Sequence, residues 1–409
     1  MTFDFIDGVP PIAERRIRIE VRPAAERALR AGHPWLFAEA ITGQNRDGAP
    51  GDLAVIVDRK KRFLAVGLYD PASPIRVKVL AANDPAPIND AWFADRIAAA
   101  LARRSALNTP TTDGYRLIHG ENDGLPALVL DRYAGTLVLK LYSAAWLPHL
   151  RNVLPILIAQ HPADSLVLRM SRAMQREATH GLHDGALLHG ALRDDEVRFH
   201  ENGLTLGADV VRGHKTGFFF DQRENRARVG AMSDGADVLD VFAYSGGFSL
   251  YAAAGGARSV LSVDVSQPAL DAAQEHFALN RGQAAVNACQ HEGIAGDAFA
   301  TMEALRHDGR RFDLVIVDPP SFAKRSAEIG RALNAYERLA RLAAPLVRAD
   351  GVLVMASCSS RVHADAFFKA VRGGVGRPCV EMARTFHALD HPIGFAEGAY
   401  LKCLYLHLP

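Results

Sequence analysis

The chain has 409 residues, of which 49% are hydrophobic and 23% charged, with 47 Lys and Arg against 46 Asp and Glu. This balance excludes a disordered or fibrous protein, and at about 150 residues per domain the length predicts two or three folded domains. A net charge of +1 creates no global field for a polyanion, so any nucleic-acid surface has to be a local patch.

The N-terminal segment and the cysteines favour a protein of the reducing cytoplasm. Residues 1–11 are acidic and contain Gly8, Pro10 and Pro11, which is unlike a signal peptide. No uninterrupted apolar stretch of about 20 residues occurs, so we expect no membrane-spanning helix and no membrane partner. The four cysteines form no CxxC pair, which argues against disulfides and predicts that no metal is bound.

Residues 1–82 are predicted to form a small, mostly β domain. Turn residues separate short runs that are rich in valine and isoleucine, at 53–57, 63–68 and 75–79. The segment 83–87 has the composition of a linker and opens a central α/β domain over 83–195.

Residues 196–409 are predicted to form the third domain. From residue 237 onward, apolar strands alternate with helices, which indicates a parallel sheet covered on both faces. The strands are predicted at 238–242, 259–264, 312–318 and 351–357. The segments 380–384 and 400–407 are predicted to be antiparallel edge strands.

The strongest local signal lies in residues 237–248, where a buried strand runs into a glycine-containing turn and a helix. Ligands of such sheets bind beyond the carboxyl ends of the strands, and glycines let a cofactor approach the backbone closely. The predicted cofactor-binding residues of this segment are Asp240, Phe242, Ala243, Tyr244, Ser245, Gly246 and Gly247.

Two further acids suit a nucleoside. Asp264 ends the next strand and can accept both hydroxyls of a ribose, and Asp297 could accept an adenine amino proton. The full GxGxxG motif is missing, and Asp240 would repel a pyrophosphate. The pattern therefore favours S-adenosylmethionine (SAM), whose amino acid moiety is cationic, over a nicotinamide cofactor. The alternative is a plain β–turn–α unit with a chance aspartate.

Asp318 closes the fourth predicted strand and is followed by Pro319 and Pro320. Two prolines end strand pairing and stiffen the backbone, which fixes the Asp318 carboxylate at the mouth of the strand. A base could then be held by Asp318, with Phe322 available to stack. The alternative is a strand terminator with a solvated aspartate.

Cys358 follows the fifth predicted strand and therefore faces the same edge as Asp318. Carbon 5 of cytosine becomes nucleophilic once a thiolate has added to carbon 6, so a cysteine beside a SAM site predicts carbon-5 methylation of a pyrimidine. Most cysteines are simply small buried apolar residues, and we assign Cys289, Cys379 and Cys403 to packing.

Nearly the whole chain resembles the RlmI family of ribosomal RNA cytosine carbon-5 methyltransferases. The motifs that carry the resemblance are 33–37, 115–126, 213–217, 221–223, 242–248, 318–320, 357–359, 391–392 and 397–398. It implies an α/β protein with an N-terminal PUA domain, a central domain and a Rossmann-like methyltransferase domain with a seven-stranded sheet. It also implies SAM as cofactor and ribosomal RNA as partner.

The resemblance also implies roles for particular residues. Cys358 would be the nucleophile, and Asp318 would hold the cytosine while bordering the cofactor. Asp264 would bind the ribose of SAM and Asp297 its adenine. Lys215 and Arg223 lie in the segment that borders the pocket in the family. Two departures affect the base contacts: Ser321 stands where a lysine is common, with Lys324 a possible substitute, and Ser360 stands where a glycine is common.

A local excess of positive charge supports RNA binding by the N-terminal region. Residues 15–80 carry 13 basic and 7 acidic side chains, and the densest cluster is Arg59, Lys60, Lys61 and Arg62. Phosphate contact is the favoured interpretation, and an ordinary solvated turn is the alternative. Arg169, Arg172 and Arg176 could extend the RNA track.

Two other functions stay open from the sequence alone. One is SAM-dependent methylation of another base, such as guanine nitrogen 7, which is already nucleophilic and needs no cysteine. The other is an RNA-binding assembly factor with a vestigial site, against which the presence of Asp240, Asp264, Asp318 and Cys358 argues.

Overall fold

The computed structural model describes residues 8–177, 179–323 and 325–409, and its contacts divide the chain into two compact units. The first unit comprises the described part of Met1–Gly203 with Ala208–Phe220 and Leu389–Phe395. The second comprises Leu204–Gly207, Asp221–Ala388 and Ala396–Pro409. The predicted division into three domains, with borders after residues 82 and 195, stays a prediction.

The first unit begins with a six-stranded sheet of order β2-β6-β5-β4-β1-β3. Its strands alternate buried and exposed residues where one face is covered, as in β1, and their inward side chains form a core of their own. The mostly β character predicted for this region is confirmed. The elements are β1 (Ile17–Val21), α1 (Pro23–Arg30), β2 (Trp35–Phe37), β3 (Ile41–Gln44), β4 (Leu53–Val57), β5 (Phe63–Tyr69) and β6 (Ile75–Ala82).

A second sheet of the first unit has five strands in the order β11-β10-β9-β8-β7. Its helix α2 begins with a polar cap, since the side chain of Asn89 accepts a hydrogen bond from Trp92 N. The elements are α2 (Asp90–Arg103), β7 (Gly114–His119), β8 (Leu128–Tyr133), β9 (Thr136–Leu141), α3 (Leu150–Gln160), β10 (Ser165–Met170) and β11 (Leu187–Gly190). In the chain they are followed by β12 (Glu196–Glu201) and β13 (Leu204–Asp209).

The second unit is built on a seven-stranded sheet of order β16-β15-β14-β17-β18-β20-β19, with helices between its strands. The first half consists of α4 (Arg223–Ala231), β14 (Asp237–Val241), α5 (Gly247–Ala254), β15 (Ser259–Asp264), α6 (Gln267–Leu279), α7 (Ala284–Ala288) and β16 (Gln290–Ala295). The second half consists of α8 (Ala298–His307), β17 (Phe312–Val317), α9 (Ile329–Ala343), β18 (Val347–Ser357), α10 (Ala364–Val375), β19 (Val380–Thr385) and β20 (Lys402–Leu408).

Strands β14 to β18 pair in parallel, as the apolar strands predicted, and their carboxyl ends meet at one edge of the sheet. The prediction that both C-terminal strands are antiparallel edge strands was wrong in one respect. Strand β20 is antiparallel but lies inside the sheet, between β18 and β19. Strand β19 is the edge, and it runs in the direction of β18 because both pair antiparallel with β20. Side chains on both faces of β20, such as Leu404 and Tyr405, are entirely buried, as is common for a strand with a neighbour on each side.

Candidate active site

The loop between β14 and α5 has an unusual backbone. Phe242, Tyr244 and Gly246 all have positive φ angles, of 66°, 49° and 70°. Such angles are costly for bulky residues and persist only where the surroundings impose them. Here the backbone nitrogens of Phe242 and Ala243 both donate to Val263 O, at 2.9 and 3.0 Å. The loop is therefore a fixed feature at the carboxyl edge of the sheet.

Helix α6 holds the other end of this loop. A Cβ added at Gly246 would lie 2.6 Å from the Cβ of Ala273, so the turn and the contact with α6 both require glycine. The Nδ1 atom of His276 lies 2.8 Å from Ser245 O, while its Nε2 accepts from Gly207 N at 2.9 Å. Burial lowers the pKa of His276 and so favours a neutral ring, whose protonated Nδ1 donates to Ser245 O. His276 was not predicted from the sequence, because a single histidine in an amphipathic helix carries no motif.

Asp240 lies beneath the same loop and is 1% exposed. Its Oδ2 atom accepts from the nitrogen and hydroxyl of Ser249, at 3.1 and 2.7 Å. Within the described residues its Oδ1 atom is buried without a hydrogen-bond partner. Burial raises the pKa of Asp240 to about 7. A buried acceptor of this kind favours a donor or a cation brought by a ligand.

Asp264 and Asp297 stand at the ends of the next two strands, as predicted. Both oxygens of Asp264 accept backbone bonds of 2.9 Å, from Tyr244 N and Ser266 N. Because a carboxylate has about four acceptor positions, it can still accept hydroxyl protons. Asp297 is exposed and caps α8 by accepting from Ala300 N at 3.0 Å. These residues fit a cofactor with a free ribose and a cationic amino acid moiety. Asp264 and Asp297 have spare acceptor positions for hydroxyl or amino protons, and the unpartnered Asp240 oxygen suits a positive charge.

Asp318 directly follows β17 and is oriented by a series of side-chain hydrogen bonds that was not predicted. Its Oδ2 atom accepts from Gln222 Nε2 at 2.9 Å, and Gln222 Oε1 accepts from Asn225 Nδ2 at 2.6 Å. Asn225 Oδ1 in turn accepts from the hydroxyl of Tyr405 at 3.0 Å. Pro319 is buried and Pro320 is exposed. The carboxylate is thus fixed both by the backbone and through its own oxygen.

Cys358 directly follows β18 and is half-buried between two anchored serines. The hydroxyl of Ser357 donates to Tyr336 Oη at 2.8 Å, and that of Ser359 donates to Ala323 O at 3.2 Å. Since Ala323 belongs to the segment that begins at Asp318, this bond ties the two segments together. Burial raises the pKa of Tyr336 to about 12, so its phenol stays neutral.

Phe322 completes this group. Its half-buried ring lies 5.2 Å from the ring of Tyr336, on the segment that connects Asp318 to Ala323. The structure therefore brings Asp318, Phe322 and Cys358 to one edge of the sheet, as their strand-end positions predicted. Lys324, the possible substitute for the lysine missing at position 321, lies outside the described residues.

The remaining predicted RNA-binding residues lie elsewhere in the two units. Lys215 belongs to the first unit, where its Nζ atom lies 4.3 Å from the ring centre of Phe219 and its carbonyl oxygen accepts from Lys140 Nζ at 2.6 Å. Arg223 is buried at the start of α4 in the second unit. Arg169 is buried against Asp184, so it does not lie on a surface track.

The basic turn, defined as Arg59, Lys60, Lys61 and Arg62, connects β4 to β5. Three of its side chains are engaged by acids of the same unit, and the side chain of Lys60 is exposed. The pairs are Arg59 with Glu26 at 3.9 Å, Lys61 with Glu20, and Arg62 with Asp58 at 2.7 Å. The basic side chains of these pairs are largely exposed, although Asp58 is buried, so phosphates could compete with the acids for them.

Two family models match the chain. Residues 187–374 match the S-adenosylmethionine-dependent methyltransferase model, and residues 19–82 match the PUA-like domain model. The N-terminal region is thus PUA-like and the sheet with the candidate site is a SAM-dependent methyltransferase domain. Among the described residues, no three His, Cys, Asp or Glu side chains are grouped to hold a metal, and no helix has both the length and the hydropathy to cross a bilayer.

Similar proteins agree with these matches over nearly the full length. A ribosomal RNA large subunit methyltransferase of Deinococcus radiodurans is 48% identical, covering 98% of this chain and all of that protein. A ribosomal RNA large subunit methyltransferase I of Shewanella amazonensis is 37% identical, covering 95% and 98%. A SAM-dependent methyltransferase of Streptococcus mutans shares the fold, with a TM-score of 0.81 at 20% identity over 96% of this chain and 100% of that one. The chain therefore belongs to the family of SAM-dependent methyltransferases of large-subunit ribosomal RNA.

Proposed function

We propose that this protein methylates carbon 5 of a cytosine in large-subunit ribosomal RNA, with Cys358 as a covalent nucleophile. The observation that carries the proposal is the tie between Ser359 and Ala323, which holds Cys358 beside the Asp318 segment at the cofactor edge of the sheet. A methyltransferase that acts on an already nucleophilic atom has no use for a half-exposed thiol in this position.

The second unit offers a binding group for each part of SAM. Asp264 would accept the ribose hydroxyls, and Asp297 would take the adenine amino group. The loop from Ala243 to Gly247 would enclose the methionine part, and the buried Asp240 Oδ1 is an acceptor suited to its positive charge. When bound, SAM supplies an electrophilic methyl group.

The chemistry then follows from the thiol. The thiolate of Cys358 adds to carbon 6 of the cytosine, which makes carbon 5 nucleophilic. Carbon 5 forms a bond to the methyl carbon. At the same time the bond between that methyl carbon and the sulfonium sulfur of SAM breaks, and its electron pair stays on the SAM sulfur. A base then removes the proton of carbon 5, and the released electron pair expels the thiolate. Every atom is accounted for by 5-methylcytosine, S-adenosylhomocysteine and one proton.

Asp318 and Phe322 would hold the base during these steps. The carboxylate, fixed by Gln222, is suited to bind ring nitrogen 3 or the exocyclic amine, and the Phe322 ring offers a stacking face. Pro319 and Pro320 keep the carboxylate in place. Lys215 and the basic turn would contact RNA outside the base pocket, whereas Arg223, which is as buried as Arg169, would support this region from inside the fold.

Methylation of guanine nitrogen 7 and a role as an RNA-binding assembly factor are the competing functions. Mass-spectrometric mapping of 5-methylcytosine in large-subunit ribosomal RNA, from cells with and without this protein, separates the three. We expect one cytosine to lose its methyl group without the protein and to regain it with the wild type but not with Cys358→Ala. Loss of a methylated guanine instead would support the first competitor, and unchanged methylation would support the second.

A further inference from the structure

Lys402, the first residue of β20, is a buried lysine beside the proposed nucleophile. Its side chain is 1% exposed, and its Nζ atom donates to three backbone carbonyl oxygens. These are the oxygens of Ser359, of Val362 at 2.7 Å and of Tyr400 at 3.1 Å. All three ammonium protons are therefore used to hold backbone.

The strand register places this ammonium under the turn that carries Cys358. Lys402 pairs directly with Ser357, the residue before Cys358. The turn after Cys358 is closed by a bond of 3.3 Å from Val362 N to Ser359 O. Two of the three oxygens that Lys402 binds belong to this turn, so its loss would release the backbone on which the thiol is mounted.

The charge of Lys402 is also unusual. Burial lowers its pKa to about 8, and a negative charge on Cys358 would counteract this shift. Among the described residues, no carboxylate forms an ion pair with Lys402. A buried charge without an opposite partner is costly, and that cost is recovered when an anion forms next to it.

Two other titratable groups near Cys358, among the described residues, are buried and neutral. Tyr336 on α9 and Cys403 on β20 both have pKa values raised by burial, to about 12, so both are neutral at pH 7. Asp318 would oppose a second negative charge. Arg361 and His363, on the segment that leads into α10, are exposed to solvent, which strongly screens any charge at such positions.

We propose that Lys402 is a positioning residue for Cys358, which fixes the turn that bears the thiol and stabilises its thiolate form through charge. Its importance for catalysis rests on the proposed function. Its effect on the thiol does not, because thiol reactivity is measurable without RNA or methyl transfer.

The test is the rate at which iodoacetamide alkylates Cys358 between pH 5 and 10, followed by mass spectrometry of the Cys358 peptide. The variant Lys402→Gln keeps donors for the carbonyl oxygens but removes the charge. We expect its alkylation rate at pH 7 to fall about 10-fold, with the pH profile displaced to higher pH and the same plateau at high pH. The variant Lys402→Arg, which retains the charge, should stay within about 3-fold of the wild type.

Lys78→Met is the matched control, because Lys78 is also a buried lysine but belongs to the first unit. This variant should leave the alkylation rate of Cys358 unchanged. Superimposed profiles for wild type and Lys402→Gln would overturn the proposal.

If Lys402→Gln does not fold, the wild-type chain still decides the matter through Cys379, which is half-buried like Cys358. Alkylation of Cys358 must then rise at lower pH than that of Cys379, and coincident profiles would contradict a thiolate stabilised by charge. Failure of the methylation assay with normal alkylation would count against the proposed function alone.

Discussion

Two buried lysines, one in each unit, differ in what they contact. Lys78 Nζ in the first unit lies 2.7 Å from Asp70 Oδ2, so the charge is matched inside the protein. Lys402 in the second unit donates to carbonyl oxygens, pairs with no carboxylate of the described residues, and has its pKa lowered to about 8. Burial lowers the pKa of Lys78 as well, but Asp70 counteracts that shift, whereas no carboxylate of the described residues pairs with Lys402. The difference indicates that Lys78 serves structure and Lys402 serves the site.

The same contrast extends to the acids. Asp123 and Asp131 of the first unit are fully buried in bidentate pairs with Arg104 and Arg116. Asp240 of the second unit is equally buried but forms no ion pair within the described ranges, and its pKa is raised to about 7. Titratable groups that a fold leaves unmatched are typical of functional sites.

The largest expected effect is the loss of turnover when Cys358 is replaced, and Cys379 provides the control position. Cys358→Ser keeps the size of the side chain but removes a usable nucleophile, because a hydroxyl ionises far less readily than a thiol. We expect turnover to fall by about 10⁴-fold or more while SAM affinity stays within a few-fold. Cys379→Ser is the control and should keep near wild-type turnover in a methyl-transfer assay with ribosomal RNA. Near wild-type turnover of Cys358→Ser would favour guanine nitrogen 7 as the acceptor.

Lys78→Met should be the most destabilising of the charge variants. It leaves the buried Asp70 carboxylate without its cation, and breaking such a pair costs about 3–5 kcal/mol. Chemical denaturation followed by circular dichroism measures the loss, which should appear in the transition of the first unit. SAM affinity should be unchanged, and a large drop in SAM affinity would contradict a purely structural role.

Asp240 makes stability depend on pH. Its pKa is about 7 in the folded chain and near 3.8 when unfolded, so the folded state keeps a proton that the unfolded state has already lost. Protonated Asp240 therefore stabilises the folded state fully below pH 4, and this stabilisation is lost as the pH rises towards 7. The loss in free energy of unfolding is roughly 4 kcal/mol in total, and above pH 7 this group causes no further change. Relative to Asp240→Asn, the wild type should lose melting temperature between pH 4 and 7. Parallel melting curves over this range would show that Asp240 is ionised throughout.

Asp264→Ala tests the cofactor contact. If the carboxylate accepts both ribose hydroxyls, its loss should weaken SAM binding by about 2–4 kcal/mol, or roughly 30- to 1000-fold. Isothermal titration calorimetry measures this directly. Because Asp264 also holds Tyr244 N, the variant Asp264→Asn, which keeps an acceptor oxygen, should recover part of the affinity. Unchanged affinity in Asp264→Ala would remove this residue from the site.

The smallest effect is expected from the basic turn, whose side chains are already partly neutralised. Replacing Lys60 and Lys61 with alanine should weaken RNA binding modestly and reduce the slope of log K against log salt by about 0.7–0.9 for each phosphate that the protein no longer binds. SAM affinity should not change. An unaltered salt slope would show that the turn is only a solvated surface.

Strand-end positions made much of the site predictable. The parallel strands could be read from their apolar runs, and acids or a cysteine directly after such strands meet at one edge whatever the details of packing. The positions of Asp264, Asp318 and Cys358 at this edge were predicted in this way, and their roles stay predictions. The internal position of β20 was not predicted. An antiparallel strand that is buried on both faces has the same apolar sequence pattern as its parallel neighbours, so the pattern does not give its place in the sheet.

The partners of these residues could not be predicted, because tertiary contacts decide them. Gln222 reaches Asp318 across 96 positions of the chain, and Lys402 reaches Ser359 across 43. Neither belongs to a spacing pattern. Two of the three acids that pair with the basic turn were equally hidden, since Glu20 and Glu26 come from other elements of the same sheet domain.

Covalent capture is the most direct test of the central claim that Cys358 attacks the base. RNA with 5-fluorocytosine at the target position allows the addition to carbon 6 and the methyl transfer, but no proton remains on carbon 5 for a base to remove. The wild-type protein should therefore stay attached to the RNA in a band that resists denaturing electrophoresis, requires SAM, and yields a Cys358 peptide linked to the nucleotide. Cys358→Ser should give no such band. A SAM-dependent methylated product without any adduct in the wild type, or an adduct that persists in Cys358→Ser, would contradict the account.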